Sequence, residues 1–278
     1  MTTDRLFDLS GRVAIVTGAC GLLGREHCDV LAEAGAHVVV SDLCSDAARQ
    51  QAETLSAGRG VEALAVAMDV TNKRAVEAAV AAALDRFGRL DILVNNAALT
   101  AKGGAEEMTG YFGSFEEYSL ELWERALRTN LTGTFLCSQA VGRHFSRVNR
   151  GVIVNVSSMY GVVGPDQRLY AGTANPYGTE CTFNTPASYS ATKAGILGLT
   201  RYLATYWART NIRVNALTPG GVREEHKEAF VRSYSSRAVM GRMAECTEFR
   251  GALLFLASDA SSYMTGANLI VDGGWTAW

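Results

Sequence analysis

Tyr189 and Lys193 stand four positions apart in Tyr189-Ser190-Ala191-Thr192-Lys193, inside a stretch whose periodicity predicts a helix. At that spacing the phenol and the ammonium share one helix face. A free tyrosine titrates near pH ~10, but a cation within about 4–6 Å favours the phenolate and lowers that value. A phenol so tuned can exchange a proton with an alcohol or a carbonyl oxygen. The same spacing arises wherever a core tyrosine neighbours a solvated lysine, so the rest of the chain must supply the weight.

Arg12 to Thr17 is a short apolar run of β type that leads directly into Gly18-Ala19-Cys20-Gly21-Leu22-Leu23-Gly24, and a helical pattern from Leu23 to Ala34 follows. Strand, glycine turn and helix bring backbone N–H groups and a helix N-terminus against a pyrophosphate. Glycines let the backbone approach where a Cβ would clash. A second strand, Ala36 to Ser41, ends in Asp42, about twenty residues past the turn, where a carboxylate can accept ribose hydroxyls. A turn or N-cap role is the alternative for Asp42. No Arg or Lys lies between Thr17 and Gly24 or directly after Asp42, so a 2′-phosphate would meet a carboxylate without a countercharge. NAD is therefore expected over NADP. The expected cofactor contacts here are Gly18, Gly21, Leu22, Leu23, Gly24, Asp42 and Leu43.

The chain has 278 residues, 48% hydrophobic and 19% charged, enough for a large core in a single domain. A net charge of −2 without basic runs argues against nucleic-acid or anionic-membrane partners and leaves a small molecule as the expected one. No signal-type opening or membrane-length apolar stretch is present, so a cytoplasmic location is expected. The six cysteines are scattered and read as reduced thiols. The four histidines lack ligand spacing, and no metal is expected.

The elements that must position these residues alternate. Strand patterns at Val61–Val70, Leu90–Asn95, Val152–Ser157, Ile212–Leu217 and Asn268–Val271 are separated by helical patterns at Asn72–Phe87, Phe115–Phe145 and Ser188–Arg209. Helical pieces also lie between Glu224 and Ser258. Continuous apolar strands alternating with helices predict an α/β fold, a single-domain Rossmann-type, doubly wound parallel sheet of about seven strands. Two polar, glycine-rich stretches interrupt it, at about 100–114 and 161–187, and loops so long inside a compact domain are usually functional.

Further motifs complete a resemblance. Asn95-Asn96-Ala97-Ala98, Asn130 in Asn130-Leu131-Thr132-Gly133, Ser158 in Val154-Asn155-Val156-Ser157-Ser158-Met159-Tyr160-Gly161, and Pro219-Gly220 occur in order with the glycine turn and the Tyr-x-x-x-Lys pair. With these, the chain resembles the short-chain dehydrogenase/reductase family over nearly its whole length. The resemblance implies an NAD-dependent oxidoreductase that interconverts a secondary alcohol and a ketone. It makes Tyr189 the general acid/base. Lys193 would hold the nicotinamide ribose and depress the tyrosine pKa, Ser158 would bind the reacting oxygen, and Asn130 would support a proton-relaying water. It adds Asp69, Val70, Asn96, Ala97, Ala98, Pro219, Gly220 and Val222 to the cofactor contacts of Tyr189 and Lys193. Asp69 alternatively belongs to the cap of the helix at Asn72. Relatives commonly form homotetramers, and the tail Tyr263–Trp278 with its two tryptophans is expected at a subunit interface.

Three departures bear on substrate. Leu22 occupies a position where the short-form family has glycine, which resembles the sugar-nucleotide-modifying branch, yet only 85 residues follow Lys193 and leave no room for that branch's extra domain. Ser158 and Tyr189 are 31 residues apart, where the short form has a little over a dozen, and the insertion carries Gln167, Arg168, Tyr170, Asn175, Tyr177, Glu180 and Asn184. Gly220-Gly221-Val222-Arg223 lacks the threonine with which relatives hold the nicotinamide carboxamide. The polar insertion points to a polyhydroxylated substrate met by Ser158, Tyr160, Arg168 and Tyr170, and the chain resembles bacterial oxidoreductases of surface-glycan and sialic-acid-like sugar pathways. The alternatives are a sugar-nucleotide epimerase or dehydratase that retains NAD, and a non-catalytic NAD-binding sensor.

Overall fold

A computed structural model describes residues 3–99, 110–170 and 183–278. Seven parallel strands run β1 Val13–Thr17, β2 His37–Asp42, β3 Ala63–Ala67, β4 Ile92–Asn95, β5 Arg150–Val156, β6 Asn211–Pro219 and β7 Asn268–Val271. Their order across the sheet is β3-β2-β1-β4-β5-β6-β7. The direction of winding therefore reverses between β1 and β4, the switch point outside which ligands of such sheets bind.

Strand side chains alternate between two apolar layers. Ala14, Val16, Val38, Val40, Ile92, Val94, Val152 and Val154 enter one, while Val13, Ile15, Val39, Leu93 and Ile153 enter the other. Each strand is thus apolar on both faces, as a sheet covered on both sides requires. The helices are α1 Thr3–Phe7, α2 Leu22–Glu33, α3 Ser45–Arg59, α4 Lys73–Phe87, α5 Leu120–Ala126, α6 Gly133–Val148, α7 Ala187–Tyr206, α8 Glu228–Ser235 and α9 Arg250–Ala257. None is long and apolar enough to cross a membrane.

Several boundaries differ from the sequence expectation. Helix α3 was not marked by periodicity, because its apolar positions reduce to Ala48, Ala52 and Leu55. The helix expected from Phe115 begins at Leu120, where the Ser119 hydroxyl accepts the Leu122 N–H at 3.2 Å. It also does not run unbroken to Phe145. A π-helical turn at Leu127–Thr132 separates α5 from α6 and carries Asn130, the kind of insertion that often marks a functional position.

Of the two interrupting stretches, residues 100–109 and 171–182 lie outside the described residues, and with them the expectations for Asn175, Tyr177 and Glu180. The described flanks are pinned. Gln167 and Thr185 exchange two hydrogen bonds, at 3.1 and 2.9 Å. Asn184 N–H donates to the Phe112 carbonyl at 2.9 Å, and Phe112 stacks on Phe183 with centroids 4.3 Å apart. The two tryptophans of the tail differ in burial. Trp275 is buried within its own subunit, stacked on Tyr234 with centroids 4.4 Å apart, which leaves Trp278 as the exposed member of the pair.

Candidate active site

The glycine turn is shaped by contacts that a side chain would destroy. Gly18 has φ +60°, and a Cβ there would stand 2.8 Å from Ala97 Cα, while one on Gly24 would stand 2.2 Å from the Gly18 carbonyl oxygen. Asn96 fixes the turn from β4: its amide nitrogen donates to the carbonyls of Thr17 at 3.1 Å and Gly18 at 2.9 Å. Thr17 Oγ1 accepts the N–H groups of Asn96 and Ala97 at 3.1 and 3.0 Å. The turn and the Asn95-Asn96-Ala97-Ala98 segment are thereby one unit at the ends of β1 and β4. Leu22 and Leu43 project from its rim as exposed apolar residues.

Asp42 ends β2 beside this unit. One of its oxygens accepts the Cys20 N–H at 2.9 Å and the other the Cys44 N–H at 3.3 Å. A carboxylate has about four acceptor sites, so capacity remains for ribose hydroxyls. The nearby cation is Arg25, whose Nε donates to the Cys20 carbonyl at 3.0 Å from an exposed position. It lies one residue beyond the glycine turn, at the first turn of α2. Farther along, Asp69 accepts the Thr71 N–H at 2.8 Å, while Val70 is buried against Gly133, where a Cβ would meet it at 2.7 Å. The helix cap is Asn72, which receives Arg74 and Ala75.

Ser158 lies two residues past the end of β5, at the start of a 3-10 turn Met159–Gly161, and its Oγ accepts the Tyr160 N–H at 3.2 Å. Gly161 presses that turn onto α7, because a Cβ there would stand 2.7 Å from the Lys193 carbonyl group and 2.8 Å from Ser157 Oγ. Ser157 donates its hydroxyl to the Lys193 carbonyl at 2.8 Å. It is thus a fastener between the end of β5 and α7. Ser158 lowers the pKa of Tyr189. Lys193, one turn on, is buried; its Nζ donates to the Val156 carbonyl at 2.8 Å and lies 5.7 Å from the centre of the Tyr189 ring.

The electrostatics differ from the expected depression of the tyrosine pKa. Burial raises the Tyr189 pKa and outweighs the lowering by Ser158, and the phenol of Tyr170 adds to the rise. Lys193 adds no lowering, and burial draws its own pKa down to about 8. Desolvation disfavours the charged form of both groups.

Asn130 is fully buried, with Oδ1 accepting the Leu99 N–H at 2.7 Å and Nδ2 donating to Thr192 Oγ1 at 3.1 Å. It therefore ties the segment after β4 to α7 between Tyr189 and Lys193. A second buried chain went unrecognised in the sequence. Asn95 Nδ2 donates to Ser138 Oγ at 3.1 Å and to Asn155 Oδ1 at 2.8 Å, and Asn155 donates to Thr200 Oγ1 at 2.9 Å. The pairing of Asn95 with Asn155 across β4 and β5 was invisible without the register.

The side chains expected on the substrate are divided. Tyr160 and Tyr170 are hydrogen-bonded to each other, and Tyr170 hydroxyl also pairs with Thr185 Oγ1 at 3.0 Å. Both belong to an aromatic cluster with Phe230, Tyr234 and Trp275 against which Tyr189 packs. Arg168 is not brought into it: its guanidinium is 81% exposed and engaged by Asp166 at 2.8 Å, and Asp166 also holds Arg237. After β6, Gly220 N–H donates to the Val271 carbonyl at 2.8 Å, and Val222 bridges to Ala244. Pro219, Gly220 and Val222 thereby close the switch-point end of the sheet.

Two family models match: short chain dehydrogenase over residues 12–173 and Enoyl-(Acyl carrier protein) reductase over residues 173–276. The chain is 39% identical over 272 residues, 96% of its length and 93% of the relative's, to trans-4-hydroxycyclohexanecarboxylate dehydrogenase of Sinomonas cyclohexanicum. It is 34% identical to D-threitol dehydrogenase of Mycolicibacterium smegmatis, covering 99% of this chain and 97% of the relative. Among solved structures it resembles a gluconate 5-dehydrogenase from Burkholderia cenocepacia in complex with NADP and tartrate, with a TM-score of 0.83, 31% identity and full coverage of both chains. The glycine turn, the Ser158 turn pressed onto α7 and the matched sequence span all say the same thing: the chain belongs to the short-chain dehydrogenase/reductase family, oxidoreductases of CH–OH donors that bind a nicotinamide dinucleotide.

Proposed function

We propose that this chain interconverts a secondary alcohol and a ketone with NAD(H). The observation that carries the proposal is the buried Lys193, whose Nζ donates to the Val156 carbonyl at 2.8 Å and lies 5.7 Å from the centre of the Tyr189 ring, in the helix that Gly161 of the Ser158 turn is pressed against. The glycine turn fits the cofactor: Gly18 and Gly24 allow a backbone so tightly folded that a Cβ would collide with Ala97 or the Gly18 carbonyl, and the Asp42 carboxylate accepts the Cys20 N–H of that turn. Gly18, Gly21, Leu22, Leu23 and Gly24 would hold the pyrophosphate, Asp42 and Leu43 the adenosine ribose, Asp69 and Val70 the adenine. Asn96, Ala97, Ala98, Pro219, Gly220 and Val222 would border the remainder. Lys193 has two further N–H groups for a ribose hydroxyl. The bound nicotinamide supplies the hydride. The chain's own residues move the proton: Ser158 holds the reacting oxygen, and Tyr189 gives that oxygen its proton or removes it. The raised pKa keeps the Tyr189 phenol protonated at neutrality, so it is set to donate to a carbonyl oxygen. Asn130 would support a relaying water from beneath Thr192.

The substrate reading favoured by the aromatic cluster around Tyr189 is a compact ring alcohol lying against Tyr160 and Tyr170. A polyhydroxylated substrate is the second reading, favoured by the neutral phenol hydroxyls of Tyr111 and Tyr160, both near Tyr189. A homotetramer is part of the proposal, since β7 is an edge strand with Ile270 exposed. NADH fluorescence titration, followed by absorbance assays on hydroxycyclohexanecarboxylates, threitol, sugars and sugar phosphates, tests the activity. Tyr189→Phe is expected to bind NADH and lose roughly 10²–10⁴ in rate. Failure of the wild type to bind NADH, or a variant retaining more than about a tenth of the rate, would overturn it. Copurified stoichiometric nicotinamide would instead identify an epimerase or dehydratase.

A further inference from the structure

Tyr234 joins three segments that the proposed reaction needs in register. It lies in α8, 2% exposed, and its hydroxyl accepts the Gly221 N–H at 2.6 Å. The same hydroxyl donates to Met159 Sδ at 3.5 Å, in the turn that begins at Ser158. Its ring is stacked on Trp275 with an interplanar angle of 24°. Gly221 is shaped to this ring, since a Cβ there would stand 2.6 Å from Tyr234 ring carbons. The Trp275 side of the stack is fixed in turn: Asp272 accepts the N–H groups of Gly274 and Thr276, both at 2.9 Å, and the Thr276 hydroxyl at 2.7 Å.

We propose that Tyr234 is a positioning residue that holds the loop Pro219–Val222 at a fixed distance from Ser158, and so seats the nicotinamide end of the cofactor. The proposal rests on the cofactor reading above, in which that loop borders the nicotinamide. The chain has no threonine in this loop after Pro219-Gly220, so a side-chain grip on the carboxamide is replaced by a backbone that must itself be held still. Tyr234 holds it through the N–H of Gly221, while Ala244 N–H, donating to the Gly221 carbonyl at 3.0 Å, secures the other side of the residue. Removing the hydroxyl releases both Gly221 and Met159 but leaves the ring stack intact.

The test separates the two ends of the cofactor. Affinities of the full-length protein for NADH and for ADP-ribose, which lacks nicotinamide, are measured by fluorescence and calorimetry. Tyr234→Phe is expected to weaken NADH about fivefold, the worth of one hydrogen bond, and to leave ADP-ribose within about twofold. Trp275→Phe, which keeps an aromatic ring in the stack, should change neither by more than about twofold on that scale. Equal weakening of both ligands by Tyr234→Phe would mean general damage to the fold and would overturn the positioning role, as would no change in either. A wild type that binds neither ligand would instead overturn the cofactor reading itself.

Discussion

Lys193 should be a stability liability that the ligand-free protein tolerates for function. Its ammonium is buried and its pKa falls from 10.5 to about 8 because burial penalises the charge. Below pH 8 the lysine is protonated in both folded and unfolded chains, and holding that proton in the folded site costs about 3 kcal/mol at ~1.36 kcal/mol per pKa unit. Lys193→Met keeps an unbranched side chain of similar length and removes the charge. It also strips the Val156 carbonyl of its 2.8 Å donor, which returns about 1–2 kcal/mol of the gain. The variant should therefore be about 1–2 kcal/mol more stable at pH 7, a rise of about 2–8 °C in melting temperature. The sign of the pH dependence follows from linkage. Between pH 8 and 10.5 the unfolded chain binds the proton that the folded chain has released, so wild-type stability climbs with pH and the advantage of the variant closes through that window. Thermal unfolding of ligand-free protein at pH 7, 8.5 and 9.5 measures both effects, while turnover of the variant should be lost. A variant less stable than wild type at pH 7, with a difference that does not change up to pH 9.5, would refute the reasoning.

Three further outcomes follow from other sites. Asp42→Ala should improve NADPH binding relative to NADH by about tenfold or more, on the scale of roughly 1.5–3 kcal/mol for hydrogen bonds to charged groups, because the carboxylate is gone and Arg25 stands at the same turn; an unchanged ratio of dissociation constants contradicts it. His27 is fully buried, neither ring nitrogen has a partner among the described residues, and burial lowers its pKa from 6.5 to about 4. The unfolded chain takes up the proton first, so stability falls by up to about 3 kcal/mol as pH drops from 6.5 to 4. His27→Leu should flatten this share of the loss in urea titrations, and parallel curves for the two proteins would exclude it. Because burial keeps the Tyr189 phenol protonated, alcohol oxidation should accelerate as pH rises into the alkaline range while ketone reduction stays level near neutrality; an oxidation rate flat from pH 7 to 10 speaks against Tyr189 as the base.

What could be read from the residues alone was whatever depends on short spacing. Gly18 and Gly24 are demanded by contacts within the turn and with Ala97, and the four-residue separation of Tyr189 and Lys193 is a property of one helix. Contacts set by register or by burial were not legible. Asn95 and Asn155 look like isolated asparagines until β4 and β5 are paired. Gly161 and Gly221 look like ordinary loop glycines until Lys193 and Tyr234 are found pressed against them. The expected lowering of the Tyr189 pKa failed for the same reason: the charge on Lys193 was counted, but the cost of burying both groups was not. Arg168 shows the limit from the other side, since an arginine beside an active site suggests a ligand until Asp166 is seen to hold it. The described polar side chains at the two ends of the insertion, Gln167, Arg168 and Asn184, are likewise claimed by hydrogen bonds within the protein. The cluster against which Tyr189 packs is instead largely apolar and aromatic, and it draws on segments as distant in sequence as Tyr160 and Trp275.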